Sequence, residues 1–280
     1  FSGAISQSGY GTWPLPRTKV VSELTSSPSA EDVSQQITNR VTGKRDGQID
    51  VKDLFAITPE QWANAIDGFY LPIVDGITLL EEPGILFSQG KQHPVPYISG
   101  GNSYDGSVYP VSGIKPTTLL DLVNFHRTEI QSIYKIDLLT AKKTSISGIV
   151  ALFGDLRYVL AARYTVEQMQ HIAQPSFLYF YDYVPPLKKK IWPGTPHAWQ
   201  GVPLFNNDDI PIVNKERQYW VNFIKTGNPN GPGLVNWPRV NKSETPWLVF
   251  GKIPSVKYGI SISKLNILQS TYLHRVSELN

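Results

Sequence analysis

The sequence predicts an α/β fold in a single domain spanning residues 1–280, a mostly parallel sheet with covering helices. Two observations predict it. Short apolar runs closed by Gly, Pro or Asp-Gly alternate with longer stretches of helical period, the pattern of strands joined by crossover helices. Two of those runs end next to chemistry-bearing groups, the carboxylate Asp105 and the imidazole His197. The carboxyl ends of parallel strands are where α/β proteins place their sites. Composition agrees: hydrophobic residues make 41% and charged residues 18%, enough for a sizeable core and unlike a disordered chain.

Taken in order, Phe1–Ser6 alternates apolar and small residues and stops at the polar turn Gln7-Ser8-Gly9, a short buried strand. A strand at the first residue, with no charged leader or cleavage site, reads as a cut start lacking its upstream neighbours. Ser29 followed by Glu31 and Asp32, with Val33, Ile37 and Val41 at four-residue spacing, predicts a helix over 30–41. The stretch TGKRDGQIDVKD fails as a calcium loop. Its ligand places hold Thr42, Lys44 and Asp53, and an ammonium group cannot ligate calcium. It reads as a polar turn before the helix start at Thr58-Pro59-Glu60.

Phe69–Val74 reads as extended and Asp75-Gly76 as a turn, followed by a short helix from Pro83 through Ile85 to Gly90. Pro94–Gly101 is a second buried strand, with Asn102 to Gly106 as the turn beyond it. Residues 116–171 are mostly helical, with Leu119, Leu120, Leu122, Val123 and Phe125 in one amphipathic series and 150–170 in another. All of Phe177–Val184 except Asp182 is aromatic or aliphatic, and Pro185-Pro186 ends that strand in the loop that carries His197. Pro211–Thr226 has Pro at its start and Gly227 past its end, a capped helix. Two strands, 247–250 and 256–262, and a closing helix over 265–279 complete the chain.

Several function classes drop out. Without cysteine there is no disulfide, no thiolate zinc site and no cysteine nucleophile. The only basic run, Lys188-Lys189-Lys190, reads as a solvated loop, so no nucleic-acid partner is expected. No segment reaches the eighteen or so uninterrupted apolar residues of a membrane span. Compartment and oligomeric state stay open.

The order acid then base, Asp105 then His197, suits a hydrolytic triad in which the histidine takes the nucleophile's proton and the carboxylate orients it. The chain contains no Gly-x-Ser-x-Gly. The nearest match, Gly101-Asn102-Ser103-Tyr104-Asp105, lacks the second glycine, and Ser103 reads as a turn residue. His93, His126, His171 and His274 read as structural or surface groups. Asp155 reads as a helix cap or the partner of a basic group. Trp62, Phe69, Trp192 and Trp199 suit an acyl or alcohol pocket or the core equally. Asn241-Lys242-Ser243 is a glycosylation sequon if the chain is secreted by a eukaryote.

The stretches FSGAISQSG, YLPIVDG, VPYISGGNSYDG, GDLRYVLAA, PSFLYFYDYVP, GTPHAW and WVNFIKTGNPN, in this order, resemble the C-terminal portion of the type-B carboxylesterase and lipase family, the cholinesterase-like α/β-hydrolases. The resemblance spans nearly the whole chain and implies the C-terminal half of the central sheet. It puts Asp105 on the triad acid, where the family more often shows Glu, and His197 on the triad base. The nucleophilic serine and the oxyanion loop would lie before Phe1. Gln200 stands where these enzymes usually have an acid, and Leu204-Phe205-Asn206 replaces the more usual Val-Phe-Gly. The resemblance implies a small-molecule carboxylic ester as substrate, no metal or organic cofactor, and the missing N-terminal half as a partner. It also implies that the 280 residues alone are inactive and, with a strand edge unpaired, poorly soluble. The alternative is a catalytically inactive adhesion or binding relative, against which the retained Asp105 and His197 weigh.

Overall fold

In the computed structural model, Ser29 caps the first helix, α1 (Ala30–Thr42). Its hydroxyl takes the Asp32 amide while the Asp32 carboxylate takes the Ser29 amide, and Gly43 closes the helix at φ 68°. The polar stretch after it is not only a turn. Asp50 and Asp53 form a second capping box that starts α2 (Val51–Phe55), and Lys44 lies 2.7 Å from Asp53. Thr58 and Gln61 cap α3 (Pro59–Ala65). Residues 69–74 form no strand, only a single bridge between Arg17 and Val74. Asp75 makes the expected turn, its Oδ1 accepting the amides of Ile77, Thr78 and Leu79 at 2.8–2.9 Å.

The structure describes residues 1–21, 28–66, 69–139, 143–206 and 208–278. They divide into two compact units: Pro14–Glu82, which holds α1 to α3, and Phe1–Trp13 with Pro83–Asn280. The second unit carries the sheet. Its strands are β1 (Ala4–Gln7), β2 (Tyr97–Asn102), β3 (Ser176–Tyr181), β4 (Pro246–Phe250) and β5 (Pro254–Tyr258), side by side in that order. The first four are parallel and β5 is antiparallel. The last strand stops short of the expected 262 because Gly259 turns the chain at φ 66°. Around the sheet run α4 (Pro83–Ser88), α5 (Pro116–Asp121), α6 (Arg127–Tyr134), α7 (Lys143–Gly154), α8 (Leu160–Gln168), α9 (Gly201–Phe205), α10 (Pro211–Thr226) and α11 (Ile262–Ser277). Leu279, assigned to the closing helix from sequence, lies outside the described residues.

Strand alternation gives the sheet two different faces. Ile98, Phe177, Tyr179, Tyr181, Leu248 and Phe250 pack on Tyr219, Trp220 and Phe223 of α10 and on Trp237. Each such side chain contributes about 1.5–3 kcal/mol by leaving water. Trp237 satisfies its buried indole N–H on the Leu178 carbonyl at 3.1 Å. Against β2 and β3 lies α8. It is one part of a continuous helical run in which a π-helical turn, Asp155–Val159, joins α7 to α8. The run Ser145–Ile172 is long and apolar enough to cross a membrane by length and composition, but most of it is buried within the structure. Asp155 therefore caps nothing. It sits inside the run and accepts the Tyr134 hydroxyl at 2.8 Å, while burial raises its carboxyl pKa.

Gly154 and Gly106 are where that run meets the turn after β2. A Cβ on Gly106 would stand 1.8 Å from the Val150 carbonyl oxygen, and one on Gly154 would stand 2.5 Å from the Gly106 nitrogen. The two backbones touch directly, which seats the turn beginning at Asp105.

Candidate active site

β2 and β3 are neighbours in register up to Asn102 and Tyr181. Beyond them the pairing continues through the loop that returns from β3. Ser103 N–H donates to the Tyr181 carbonyl and Tyr104 N–H to the Thr195 carbonyl, both at 2.9 Å, and Tyr104 bridges Pro196. Ser103 is more than a turn residue: its Oγ accepts the Thr195 amide at 2.9 Å and ties the two loops together. The Thr195 hydroxyl donates to the Tyr183 carbonyl at 2.8 Å. Both loops are thereby fixed just ahead of Asp105 and His197.

The structure brings those two residues together. His197 Nδ1 lies 2.8 Å from Asp105 Oδ1, with the carboxylate side chain fully buried and the imidazole 25% exposed. An ionised carboxylate only accepts, so Nδ1 carries the proton and the Nε2 lone pair is left free. Two further donors hold the carboxylate: the Asn102 amide on Oδ2 at 2.6 Å and the Ser8 hydroxyl at 2.9–3.0 Å from both oxygens. A Cβ on Gly101 would come within 2.8 Å of Oδ2, so glycine leaves the room the carboxylate occupies. The His197 amide donates to Ser107 Oγ at 2.9 Å, and the ring lies 4.6 Å from that of Tyr158. Ala198 follows at φ 59°, a left-handed conformation unusual for alanine.

Gln200 is buried and serves the loop. Its Oε1 accepts the Asn102 side-chain amide at 2.8 Å, and the same amide donates to the Pro196 carbonyl at 2.7 Å. Trp199 rests on Tyr181 and Tyr183 and lies 6.5 Å from Trp192, both indoles half-buried beside the histidine loop. Trp62 and Phe69 belong to the Pro14–Glu82 unit, where Phe69 is exposed. The other histidines have ordinary settings: His93 against Phe1, His126 Nε2 3.1 Å from Ser270 Oγ, His274 stacked on Phe125, and His171 exposed. Among the described residues no three His, Asp or Glu side chains converge as a metal site.

Sequence reasoning missed Ser8, Asn102 and Ser107. The available signal was position, since Ser8 and Asn102 stand at the carboxyl ends of neighbouring parallel strands. It also missed Glu216. This α10 carboxyl is wholly buried, takes one long hydrogen bond from the Gln7 side-chain amide at 3.4 Å, and is pushed up to about 8 by burial, against the pull of Tyr181 and Arg217.

Comparison with known proteins gives the family and the fold. The sequence model of the carboxylesterase family matches residues 1–267. Carboxylesterase 4A of Bos taurus is 23% identical over 87% of this chain and 51% of its own length. Acylcarnitine hydrolase of Mus musculus is 24% identical over 100% of this chain and 54% of its own. The chain thus spans about half the length of the curated relatives it matches. Among solved structures, a PNB esterase superposes with a TM-score of 0.72 over 96% of this chain and 58% of that one, at 20% identity. That likeness establishes the α/β-hydrolase fold.

Proposed function

The chain belongs to the carboxylesterase family, and from that premise we propose that it supplies the acid and the base of a serine carboxylester hydrolase. Asp105 is the acid and His197 the base. The nucleophilic serine and the oxyanion donors come from outside these 280 residues, among which no Gly-x-Ser-x-Gly occurs. His197 Nε2 takes the serine proton as the hydroxyl oxygen attacks the ester carbonyl. The same nitrogen returns that proton to the leaving alcohol, and a water activated in the same way then releases the acid. Asp105 keeps the proton on Nδ1 and balances the imidazolium when it forms. Tyr158 and Ser107 limit how the ring and its backbone move. The substrate is a small carboxylic ester.

The observation that supports this reading most directly is the 2.8 Å contact between a fully buried carboxylate and a partly exposed imidazole. The test is p-nitrophenyl ester hydrolysis by the polypeptide that joins this chain to its nucleophile, with and without His197→Ala. Loss of about six orders of magnitude in kcat is expected. Undiminished turnover by the alanine variant, or His197-dependent turnover by the 280 residues alone, would overturn the assignment.

A further inference from the structure

Arg157, in the π-helical turn, is the one guanidinium among the described residues that has four aromatic rings around it. It is 6% exposed. Its guanidinium carbon stands 4.8 Å from the ring centre of Trp13, 5.2 Å from Tyr10, 5.5 Å from Phe153 and 5.6 Å from Tyr158. Nε is sealed from solvent and has no hydrogen-bond partner, so the residual exposure lies elsewhere on the residue. Among the described residues no carboxylate forms an ion pair with it. Asp155, two positions earlier, is instead engaged by the Tyr134 hydroxyl. Burial lowers the guanidinium's affinity for its proton, and only the Tyr158 and Tyr10 phenols oppose that.

Cation–π contacts offset only part of the cost of taking a guanidinium out of water. A planar fork of N–H donors is matched by the two oxygens of a carboxylate or phosphate. Tyr158 sets the location, because its one ring lies against both Arg157 and, at 4.6 Å, His197.

We propose that Arg157 is the recognition group of a small-oxyanion subsite beside His197, filled by a carboxylate or phosphate group carried on the substrate. That the ligand is an ester rests on the hydrolase reading. That it is anionic rests on Arg157 and its surroundings. The preferred esters then bear a free acid group within a short chain of the carbonyl that is attacked, as in a half-ester of a dicarboxylic acid.

The chain itself tests the subsite. Succinate, inorganic phosphate and neutral succinamide are titrated in turn against it at constant ionic strength, following the tryptophan fluorescence to which Trp13 contributes. Saturable quenching by succinate or by phosphate is expected, and the stronger of the two names the oxyanion. Arg157→Met should weaken that binding at least about tenfold, and Arg157→Lys, which keeps the charge and loses the fork, by an intermediate factor. Equal binding by wild type and Arg157→Met, or succinamide binding as well as succinate, would overturn the proposal. If Arg157→Met does not fold, the wild-type Arg157 Nε–H resonance decides: a shift on adding the anion supports the subsite, and none at saturation refutes it. In the ester-hydrolysing polypeptide, kcat/KM for mono-p-nitrophenyl succinate relative to p-nitrophenyl butyrate should fall about tenfold in Arg157→Met. Turnover of neither ester would count against the hydrolase reading and leave the subsite to the titration.

Discussion

Asp105 and Glu216 are both buried carboxyl groups near the carboxyl end of the sheet, served by adjacent residues of one strand end: Ser8 donates to Asp105 and Gln7 to Glu216. Their surroundings differ. Asp105 receives the Ser8 hydroxyl, the Asn102 amide and the His197 ring at 2.6–3.0 Å. Glu216 takes the Gln7 side-chain amide at a long 3.4 Å, and burial pushes it up to about 8 against the pull of the Tyr181 hydroxyl and Arg217. Burial alone does not decide what a carboxyl group can do. The placing of its donors matters as well: three close ones hold Asp105 against a histidine, whereas burial keeps the proton on Glu216 to about 8.

The largest expected contrast is in catalysis. In the ester-hydrolysing polypeptide, Asp105→Asn should lower kcat about ten-thousandfold by favouring the wrong imidazole tautomer, whereas Glu216→Gln should change it by no more than a few fold. Comparable losses in steady-state ester hydrolysis would erase the distinction.

Next comes stability against pH. The Glu216 carboxyl holds its proton to about 8 when folded and releases it near 4.5 when unfolded. Between those values the unfolded chain carries fewer protons, so stability falls as pH rises, by about 1.4 kcal/mol per unit, and levels off above the upper value. Urea midpoints measured from pH 5 to 9 should show that slope in wild type and not in Glu216→Gln; parallel profiles would mean that Glu216 is ionised in the fold.

Smaller effects refine the same contrast. Ser8→Ala removes a donor to a buried anion and should cost about 2 kcal/mol in chemical denaturation, while Gln7→Ala, which loses one long bond, should cost about 1 kcal/mol or less. Ser107→Ala should also cost about 1 kcal/mol in stability, with a several-fold drop in kcat, because it loosens the His197 amide without touching the ring.

The sheet strands, and the placing of Asp105 and His197 just past two of them, were legible because local signals carried them: apolar runs ended by Gly or Pro, and titratable groups beyond those ends. The support around Asp105 was not, since Ser8 meets it only through a pairing between segments 97 positions apart. Asp155 does not cap a helix because the helical run continues through Gly154, the glycine required where two backbones touch. Glu216 carried a signal that went unread. It stands three or four residues from Ile212, Val213, Tyr219 and Trp220, so the helical period itself places a carboxylate on the apolar face. Arg157 had no such signal, because a π-helical turn shifts the period and changes which side chains point inward.

The bridge between Tyr104 and Pro196 has a consequence for folding kinetics. Asp105 and His197 are 92 positions apart and meet only because the returning loop extends the β2–β3 pairing. Their contact is among those of high contact order, and its loop-closure entropy must be met before the contact itself can stabilise anything. The expectation is that the acid–base pair forms only once β2 and β3 have paired. In a refolding experiment, the moment at which the His197 ring reaches its native environment should then mark the closure of that pairing.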